Sequence, residues 1–316
     1  MLRHALALSS LTALAPVLIA CGPPRTTGLQ MTDGATALAQ VTRGPGDERR
    51  PAIARDGSAL AYESAPQPGA PPHVEVLSLS TGGVARSVAA RSTEPSWMPG
   101  AGGLVCVSRA AQTTTEIVQT FGAGAASSFA APVGMPLFGA GWPSVSPDGR
   151  WVAISIGNAH VYQTHSHKSS RFDPALALVA VRGTGTIAVG EGAEPTWSPD
   201  GKRLAFVRPV GNRAHLFVAN ATRGAAAVQL TEGADDDAQP AWSPDGSLIA
   251  FCSAPVSQGI ARNANLFVVR PDGSGLRQIT EGDSDACRPA WSPDGVLYFH
   301  ANVGGRFHIW RLRVTE

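Results

Sequence analysis

A short motif recurs six times along the chain, and this repetition constrains the fold more than any other feature. In its complete form the motif reads Pro-x-Trp-Ser-Pro-Asp-Gly and runs into an apolar stretch, at residues 195–206, 240–251 and 289–299. Altered copies lie at residues 51–57, 95–100 and 143–150. The final glycines of the six copies are 43 to 52 residues apart. A period of this length is typical of a four-stranded propeller blade.

The residues of the motif explain its structural role. Pro presets φ, Asp can hydrogen-bond onward to the backbone, and Gly tolerates a positive φ, so Ser-Pro-Asp-Gly predicts a tight turn. The turn joins an inner strand to a second strand such as Leu204-Ala205-Phe206. The Trp supplies about 150–250 Å² of apolar area for packing against the next blade. With 35 Gly, 25 Pro and only 16% charged residues, the composition also favours β structure over helices.

The two ends of the repeat region predict how the ring closes. After the sixth motif the sequence has a second and a third strand, at residues 297–300 and 307–313, and no fourth. Residues 39–44 resemble the fourth-strand segments at 228–233 and 277–282. We therefore expect Ala37 to Thr42 to be the outermost strand of the last blade, which leaves no open seam. The predicted fold is an all-β, six-bladed propeller of four-stranded antiparallel blades that spans residues 36–316.

The first twenty residues have the pattern of a signal peptide. A short basic start is followed by an apolar stretch from Ala5 to Ala20, which is shorter than the ~20 residues that span a bilayer. The end of this stretch, Leu18-Ile19-Ala20-Cys21, resembles the lipobox of bacterial lipoproteins, which implies lipidation of Cys21. An ordinary cleavage after Ala15 is the alternative. Gly22, rather than Asp, favours the outer membrane, facing the periplasm, over the inner membrane or the cell surface. Residues 21–35 are rich in Pro, Gly and Thr and are predicted to be a flexible tether.

The complete motif, Trp-Ser-Pro-Asp-Gly-x-x-(Leu/Ile)-Ala-Phe, resembles the repeat of TolB-type β-propellers, and the resemblance covers residues 36–316. It implies a periplasmic protein whose propeller binds a protein, as TolB binds the lipoprotein Pal in the Tol–Pal envelope system. The chain departs from that family because residues 21–36 leave no room for the α/β domain of TolB, and because it carries the lipobox. A place in the Tol system is left open.

The loops that join one blade to the next hold the candidate site residues. Equivalent loops lie at residues 42–50, 231–239 and 280–288, and two further Glu residues precede motif prolines. We expect these loops to gather on one face around the channel and to bind a polar or cationic segment of a partner. Solvated loops with Asp capping turns and no ligand are the alternative. The expected face comprises Asp47, Glu48, Glu94, Glu194, Asp235, Asp236, Asp237, Asp283, Asp285 and Arg288.

Composition and motifs narrow the function. The net charge is +1, which gives no reason to expect nucleic-acid binding. No Gly-x-Ser-x-Gly elbow or metal motif is present, so we expect neither a catalytic residue nor a resident metal or cofactor, although clustered oxygens in the channel could hold Ca²⁺. Cys252 and Cys287 could pair or remain separate thiols.

The sequence thus predicts a monomeric, non-catalytic scaffold, anchored to the membrane through Cys21, that binds an envelope protein or peptide. A propeller that binds a glycan or another small ligand is one alternative. A propeller hydrolase or lyase with its site at the channel mouth is the other.

Overall fold

The computed structural model describes residues 28–315, apart from positions 84, 90, 101–102, 112–113, 121–125, 129–140, 157–173, 184, 258–259 and 262. The predicted signal peptide and Cys21 lie outside the described residues. The regular structure of the described part consists of β-strands. This part contains no helix that is long and apolar enough to cross a membrane.

Within the described residues, six antiparallel four-stranded sheets follow one another along the chain as blades. Two strands precede them, β1 (Gln30–Met31) and β2 (Ala35–Gln40). Blade 1 contains β3 to β6, which span Asp47–Ile53, Ala59–Ala65, His73–Ser78 and Arg86–Ala89. Blade 2 contains β7 to β10, which span Ser92–Trp97, Leu104–Ala111, Thr114–Thr120 and Ala126–Ser128. Blade 3 contains β11 to β14, which span Gly141–Val145, Trp151–Ile156, Ala175–Ala180 and Thr186–Glu191.

The second half of the chain continues in the same way. Blade 4 contains β15 to β18, which span Ala193–Trp197, Arg203–Val210, Arg213–Asn220 and Ala227–Gln229. Blade 5 contains β19, β20, β23 and β24, which span Asp236–Trp242, Ile249–Ala254, Asn265–Val269 and Arg277–Gln278. A small hairpin of β21 (Val256–Ser257) and β22 (Ile260–Ala261) is inserted between β20 and β23. After the short strand β25 (Thr280–Glu281), blade 6 contains β26, β27 and β28, which span Ala286–Trp291, Val296–Val303 and Arg306–Val314.

The Ser-Pro-Asp-Gly segments form the predicted turns. In blade 4 the amide of Gly201 donates to the carbonyl of Ser198 at 2.9 Å, and Gly201 has a φ of +69°. The Ser198 hydroxyl donates to Asp200 at 2.5 Å, and the same carboxylate oxygen accepts the amide of Lys202 at 3.1 Å. These hydrogen bonds hold the pKa of Asp200 below its ordinary value. Equivalent turns occur in blades 3, 5 and 6, so the predicted turn chemistry is confirmed.

The motif Trp side chains pack between blades, but against the preceding blade rather than the next one. The indole N–H of Trp197 donates to the carbonyl of Ser144 in blade 3 at 3.0 Å. Trp97 and Trp291 make the same bond to the blades before them. Trp197 also lies in one apolar cluster with Leu176 and Leu178 of blade 3. The core of the propeller is therefore a series of interfaces between neighbouring blades, and each of the four motif copies that carry a Trp contributes one indole to it.

The N-terminal segment closes the ring, as predicted. Strand β2 pairs antiparallel with β28 and is the outermost strand of blade 6. The amide of Val41 continues this pairing, donating to the carbonyl of Ile309 at 2.7 Å. The strand covers Ala35–Gln40 and not Ala37 to Thr42, and its pairing with β28 has a register shift between Thr36 and Ala39.

Ordered structure also begins before residue 36, within the segment expected to be a tether. Strand β1 pairs with β25, which connects blade 5 to blade 6. Leu29 and Met31 pack against the apolar cluster that blades 5 and 6 share. This additional pairing fastens the N-terminal segment to two blades, because β2 belongs to blade 6 and β1 reaches the connection before it.

Candidate functional site: the central channel

Several predicted face residues connect blades to one another. Asp47, Asp236 and Asp285 occupy equivalent positions at the ends of the inter-blade loops. Each accepts a hydrogen bond from a backbone amide of the preceding blade, at 3.1, 3.0 and 3.1 Å respectively. Because one oxygen of each carboxylate already has a protein partner, these residues contribute to blade cohesion.

Two further acidic residues are buried against histidine side chains. Glu48, 4% exposed, lies 2.8 Å from Nδ1 of His308, and Asp237, 5% exposed, lies 3.2 Å from Nδ1 of His215. Burial raises the pKa of Asp237 above its ordinary value, against the opposing hydrogen bonds it receives. Of the inter-blade loop residues named in the sequence analysis, Asp235 and Asp283 are the ones whose side chains are exposed. The structure therefore does not gather all the loop carboxylates into one open acidic rim.

The other predicted residues, Glu94, Glu194 and Arg288, lie inside the channel. They directly precede motif prolines, and in every blade the pairing of the inner strand with the second strand shifts register at this point. Pro has no N–H for the ladder, so the shift forms a bulge, and bulges redirect side chains. The residue before the proline has a positive φ in all six blades, between 52° and 60°. We call these six residues the channel ring: Arg50, Glu94, Trp142, Glu194, Gln239 and Arg288.

Each backbone amide of the channel ring has a side-chain acceptor from the preceding blade. In three blades the acceptor is the preceding ring residue itself: Trp142 donates to Glu94, Gln239 to Glu194, and Arg288 to Gln239, at 2.5, 2.7 and 3.0 Å. In the other three it is a second-strand side chain, namely His300 for Arg50, Glu63 for Glu94, and Ser155 for Glu194. One such hydrogen bond at each of the six blade junctions thus holds the six unusual backbone conformations of the ring.

The channel ring carries charges of both signs: two Arg residues in the adjacent blades 6 and 1, and two Glu residues in blades 2 and 4. Arg50 pairs with Glu63 at 2.7 Å and lies 3.8 Å from Glu94. The guanidinium carbon of Arg288 lies 3.4 Å from the centre of the Trp142 ring, and that of Arg50 lies 5.6 Å from it. Because blades 3 and 6 face each other across a six-bladed ring, the Trp142–Arg288 contact crosses the channel.

Burial shifts the proton affinity of two ring residues. Burial lowers the pKa of Arg288 to about 10, and the neighbouring Arg50 contributes to the decrease. Burial also raises the pKa of Glu194 to about 7, although Arg288 opposes the increase. Glu194 is 3% exposed, and its Oε1 atom has no hydrogen-bond partner among the described residues. Near neutral pH this carboxyl group is therefore divided between its charged and neutral forms.

A cavity of about 590 Å³ lies between the channel ring and the Ser-Pro-Asp-Gly turns. The ring forms its inner end, and prolines of the turns, Pro199, Pro244 and Pro293, line the opposite end. We call the end of the propeller that carries these turns the turn face. The cavity opens there, on the opposite end of the propeller from the inter-blade loops. Among the described residues, no group of three or more His, Cys, Asp or Glu side chains is arranged to hold a metal ion.

Sequence reasoning missed part of the ring although a signal was present. The expected face leaves out Arg50, Trp142 and Gln239, because it is built from the carboxylates of the inter-blade loops, two Glu residues and Arg288. Aligned on the motif prolines, the six preceding residues read Arg, Glu, Trp, Glu, Gln, Arg, all large and polar or aromatic. Such a column at the channel-facing strand of every blade would have identified the ring.

The cysteines predicted as a possible pair are both buried free thiols. The Cys252 thiol donates to Oε1 of Gln239 at 3.3 Å, the same oxygen that accepts the amide of Arg288. A hydrogen bond with Cys252 and burial raise the pKa of Cys287 well above its ordinary value. Cys252 therefore supports the channel ring.

Comparison with known proteins places the fold among propellers. No protein-family model and no curated protein matches the sequence. A protein described as TolB from Agrobacterium tumefaciens superimposes with a TM-score of 0.65 at 15% identity, covering 92% of this chain and 99% of that one. TolB from Acinetobacter baumannii superimposes with a TM-score of 0.58 at 19% identity, covering 83% of this chain and 65% of that one. A gluconolactonase from Xanthomonas campestris superimposes with a TM-score of 0.65 at 13% identity, covering 93% of this chain and 98% of that one. The chain is therefore similar in fold to propellers that include TolB and an enzyme.

Proposed function

We propose that the protein is a membrane-tethered propeller of the bacterial cell envelope that acts as a non-catalytic scaffold and binds a segment of another envelope protein. The binding site is the cavity at the turn face. The protein acts as a monomer, anchored through Cys21 to the outer membrane and facing the periplasm. The function requires no cofactor.

The observation that carries this proposal is the cavity itself. The channel ring lines its inner end, and prolines and indoles of the repeat line its walls. Its volume lies within the range of pockets that enclose small ligands or short peptide segments. At its inner end Arg50 pairs with Glu63, and Glu94 and Glu194 each accept a backbone amide of the next blade, which suits a rigid binding surface. The lipobox-like residues 18–21 support an envelope location.

The test compares the two ends of the propeller. Envelope proteins are crosslinked to the protein in intact cells, identified by mass spectrometry, purified, and titrated against it by calorimetry. Ala290→Trp fills the cavity from the inner strand of blade 6 and should weaken the binding of an identified partner by tenfold or more. The matched variant Asp235→Ala/Asp283→Ala changes the exposed residues of the inter-blade loops and should leave the affinity within twofold.

The opposite pattern, in which the loop variant loses binding and Ala290→Trp retains it, would move the site to the inter-blade loops. Titrations with added Ca²⁺ and with EDTA should agree, since the proposed function needs no ion. Turnover of lactone, glycan or peptide substrates by the purified protein would contradict the non-catalytic role. Circular dichroism and thermal melts establish that each variant is folded.

A further inference from the structure

Two groups at the inner end of the cavity have unused hydrogen-bonding capacity. Oε1 of Glu194 is buried and has no hydrogen-bond partner among the described residues. The guanidinium carbon of Arg288 lies 3.4 Å from the centre of the Trp142 ring, and no hydrogen bond or ion pair joins this guanidinium to the part of the chain that the structure describes. Its five N–H donors are thus available at a point where the cavity ends.

The contrast with the other charged ring residues is clear. Arg50 is held by Glu63 at 2.7 Å, and Glu94 accepts the amide of Trp142 at 2.5 Å. Those side chains are occupied in holding the ring together. Oε1 of Glu194 is a buried, unpaired polar atom, which costs free energy that a ligand can recover by pairing it, whereas Arg288 is partly buried. The two unpaired groups line one cavity, and Gln239 occupies the ring position between them.

The chemistry of these groups selects an anion with two oxygens. The planar fork of Arg288 matches a carboxylate. When Glu194 is neutral, the positive charges of Arg50 and Arg288 equal the negative charges of Glu63 and Glu94 in number. In that state Oε2 accepts the amide of Gln239 and Oε1 is left to carry the proton as a donor. A carboxylate between the two side chains would accept hydrogen bonds from both.

The shape of the cavity selects the end of a chain. Trp142 and Arg288 come from opposite blades and meet across the inner end, so we expect a polypeptide to insert a terminus there rather than pass through. The prolines and indoles of the walls provide apolar contact for the side chains of the last residues.

We propose that Arg288 and Glu194 bind the C-terminal carboxylate of a polypeptide inserted into the cavity from the turn face. This proposal rests on the proposed function, since it specifies the group that the partner presents. Free small carboxylates share the same chemistry, and the experiment separates them from a chain terminus.

The expected pH dependence follows from the groups around Glu194. Its carboxyl group faces Arg288, Glu94 and Arg50, and Glu63 and His300 lie behind the ring. Burial lowers the pKa of His300 well below its ordinary value, and the positive charges of Arg288, Arg49 and Arg50 add to the decrease. This side chain therefore stays neutral. An incoming carboxylate favours protonated Glu194, whose pKa in the empty site is about 7. Binding should therefore weaken about tenfold between pH 6 and pH 8, because the neutral fraction of Glu194 falls by that factor.

The experiment uses N-acetylated tetrapeptides, randomised at the last two positions and made both as free acids and as C-terminal amides. Calorimetry with the folded propeller should show binding of the acids at pH 6 and at least tenfold weaker binding of the amides. Acetate and N-acetylalanine should bind at least tenfold more weakly than the peptide acids. Arg288→Gln should remove the preference for the acid, and Glu194→Gln should remove the pH dependence. The matched charge changes Arg223→Gln and Glu191→Gln, at exposed positions of blades 4 and 3, should alter neither the preference for the acid nor the pH dependence.

Equal affinity for acids and amides, or no binding of either, would overturn the proposal using the wild-type protein alone. Acetate binding as tightly as the peptides would make the site one for small carboxylates and would also overturn it. None of these results depends on the crosslinking experiment. Loss of an identified partner in Ala290→Trp together with equal binding of acids and amides would keep the scaffold and reject the terminal carboxylate.

Discussion

At the scale of single residues, equivalent tryptophans differ in one hydrogen bond. Trp197 and Trp242 occupy the same motif position and are 8% and 6% exposed. The indole N–H of Trp197 donates to the carbonyl of Ser144, whereas that of Trp242 is buried with no partner among the described residues. Arg203 lies over the Trp242 ring, 4.8 Å from its centre.

Changing each of these tryptophans to Phe should therefore have unequal effects on stability. Both changes remove similar apolar area, but Trp197→Phe also leaves the Ser144 carbonyl unpaired. We expect Trp197→Phe to lower the free energy of unfolding by about 1 kcal/mol more than Trp242→Phe. Urea unfolding followed by far-ultraviolet circular dichroism measures the difference. Equal losses would mean that the bond to Ser144 adds nothing to the packing of the indole.

Residue chemistry also explains which parts of the site could be predicted. The turn residues act locally, so Ser198 and Asp200 behave as their sequence predicts. The loop carboxylates were expected to be available to a partner, but an acidic residue in a loop such as Asp47 can equally accept an amide from the neighbouring blade. That choice depends on contacts between residues 260 positions apart, which no local pattern encodes.

At the scale of elements, strand β2 is the part of the chain that completes blade 6. It pairs with β28, and Ala35 is buried in the cluster shared by blades 5 and 6. The closing strand could be predicted because residues 39–44 repeat the sequence of other fourth strands. Strand β1 was missed because its two residues pair with β25, some 250 positions away, and carry no alternating pattern of their own.

A truncation series should separate the contributions of these two strands. A chain that begins at Gly34 loses β1 and keeps β2, whereas a chain that begins at Thr42 loses both. We expect the second truncation to lower the Tm by about 10 °C relative to a chain that begins at Gly28, since several kcal/mol of pairing and burial are lost at roughly 2–4 °C per kcal/mol. The first should lower it by less than half as much. Differential scanning calorimetry gives both values, and equal Tm for all three chains would show that β2 does not hold the ring closed.

At the scale of the whole molecule, the repeat determines the ring but not which end of it carries the cavity. Six motifs and one closing strand predict the propeller, because each blade must bury its apolar faces against its neighbours. The cavity lies at the turn face because six bulged residues with positive φ form its inner end. That arrangement arises only once the six blades are in place, so it could not be read from any single motif.

The attachment of the molecule to a membrane is the last property that the sequence predicts. If Cys21 is lipidated, several acyl chains at ~0.8 kcal/mol per buried CH₂ should hold the propeller firmly at the bilayer. Wild-type protein from envelope fractions should then partition into the detergent phase of a Triton X-114 separation, and Cys21→Ser should move most of it to the aqueous phase. The mass of the N-terminal peptide provides an independent readout. A lipid-modified peptide that begins at Cys21 agrees with this expectation, whereas an unmodified peptide that begins at Pro16 would indicate ordinary signal cleavage after Ala15 and remove the anchor from the proposed function.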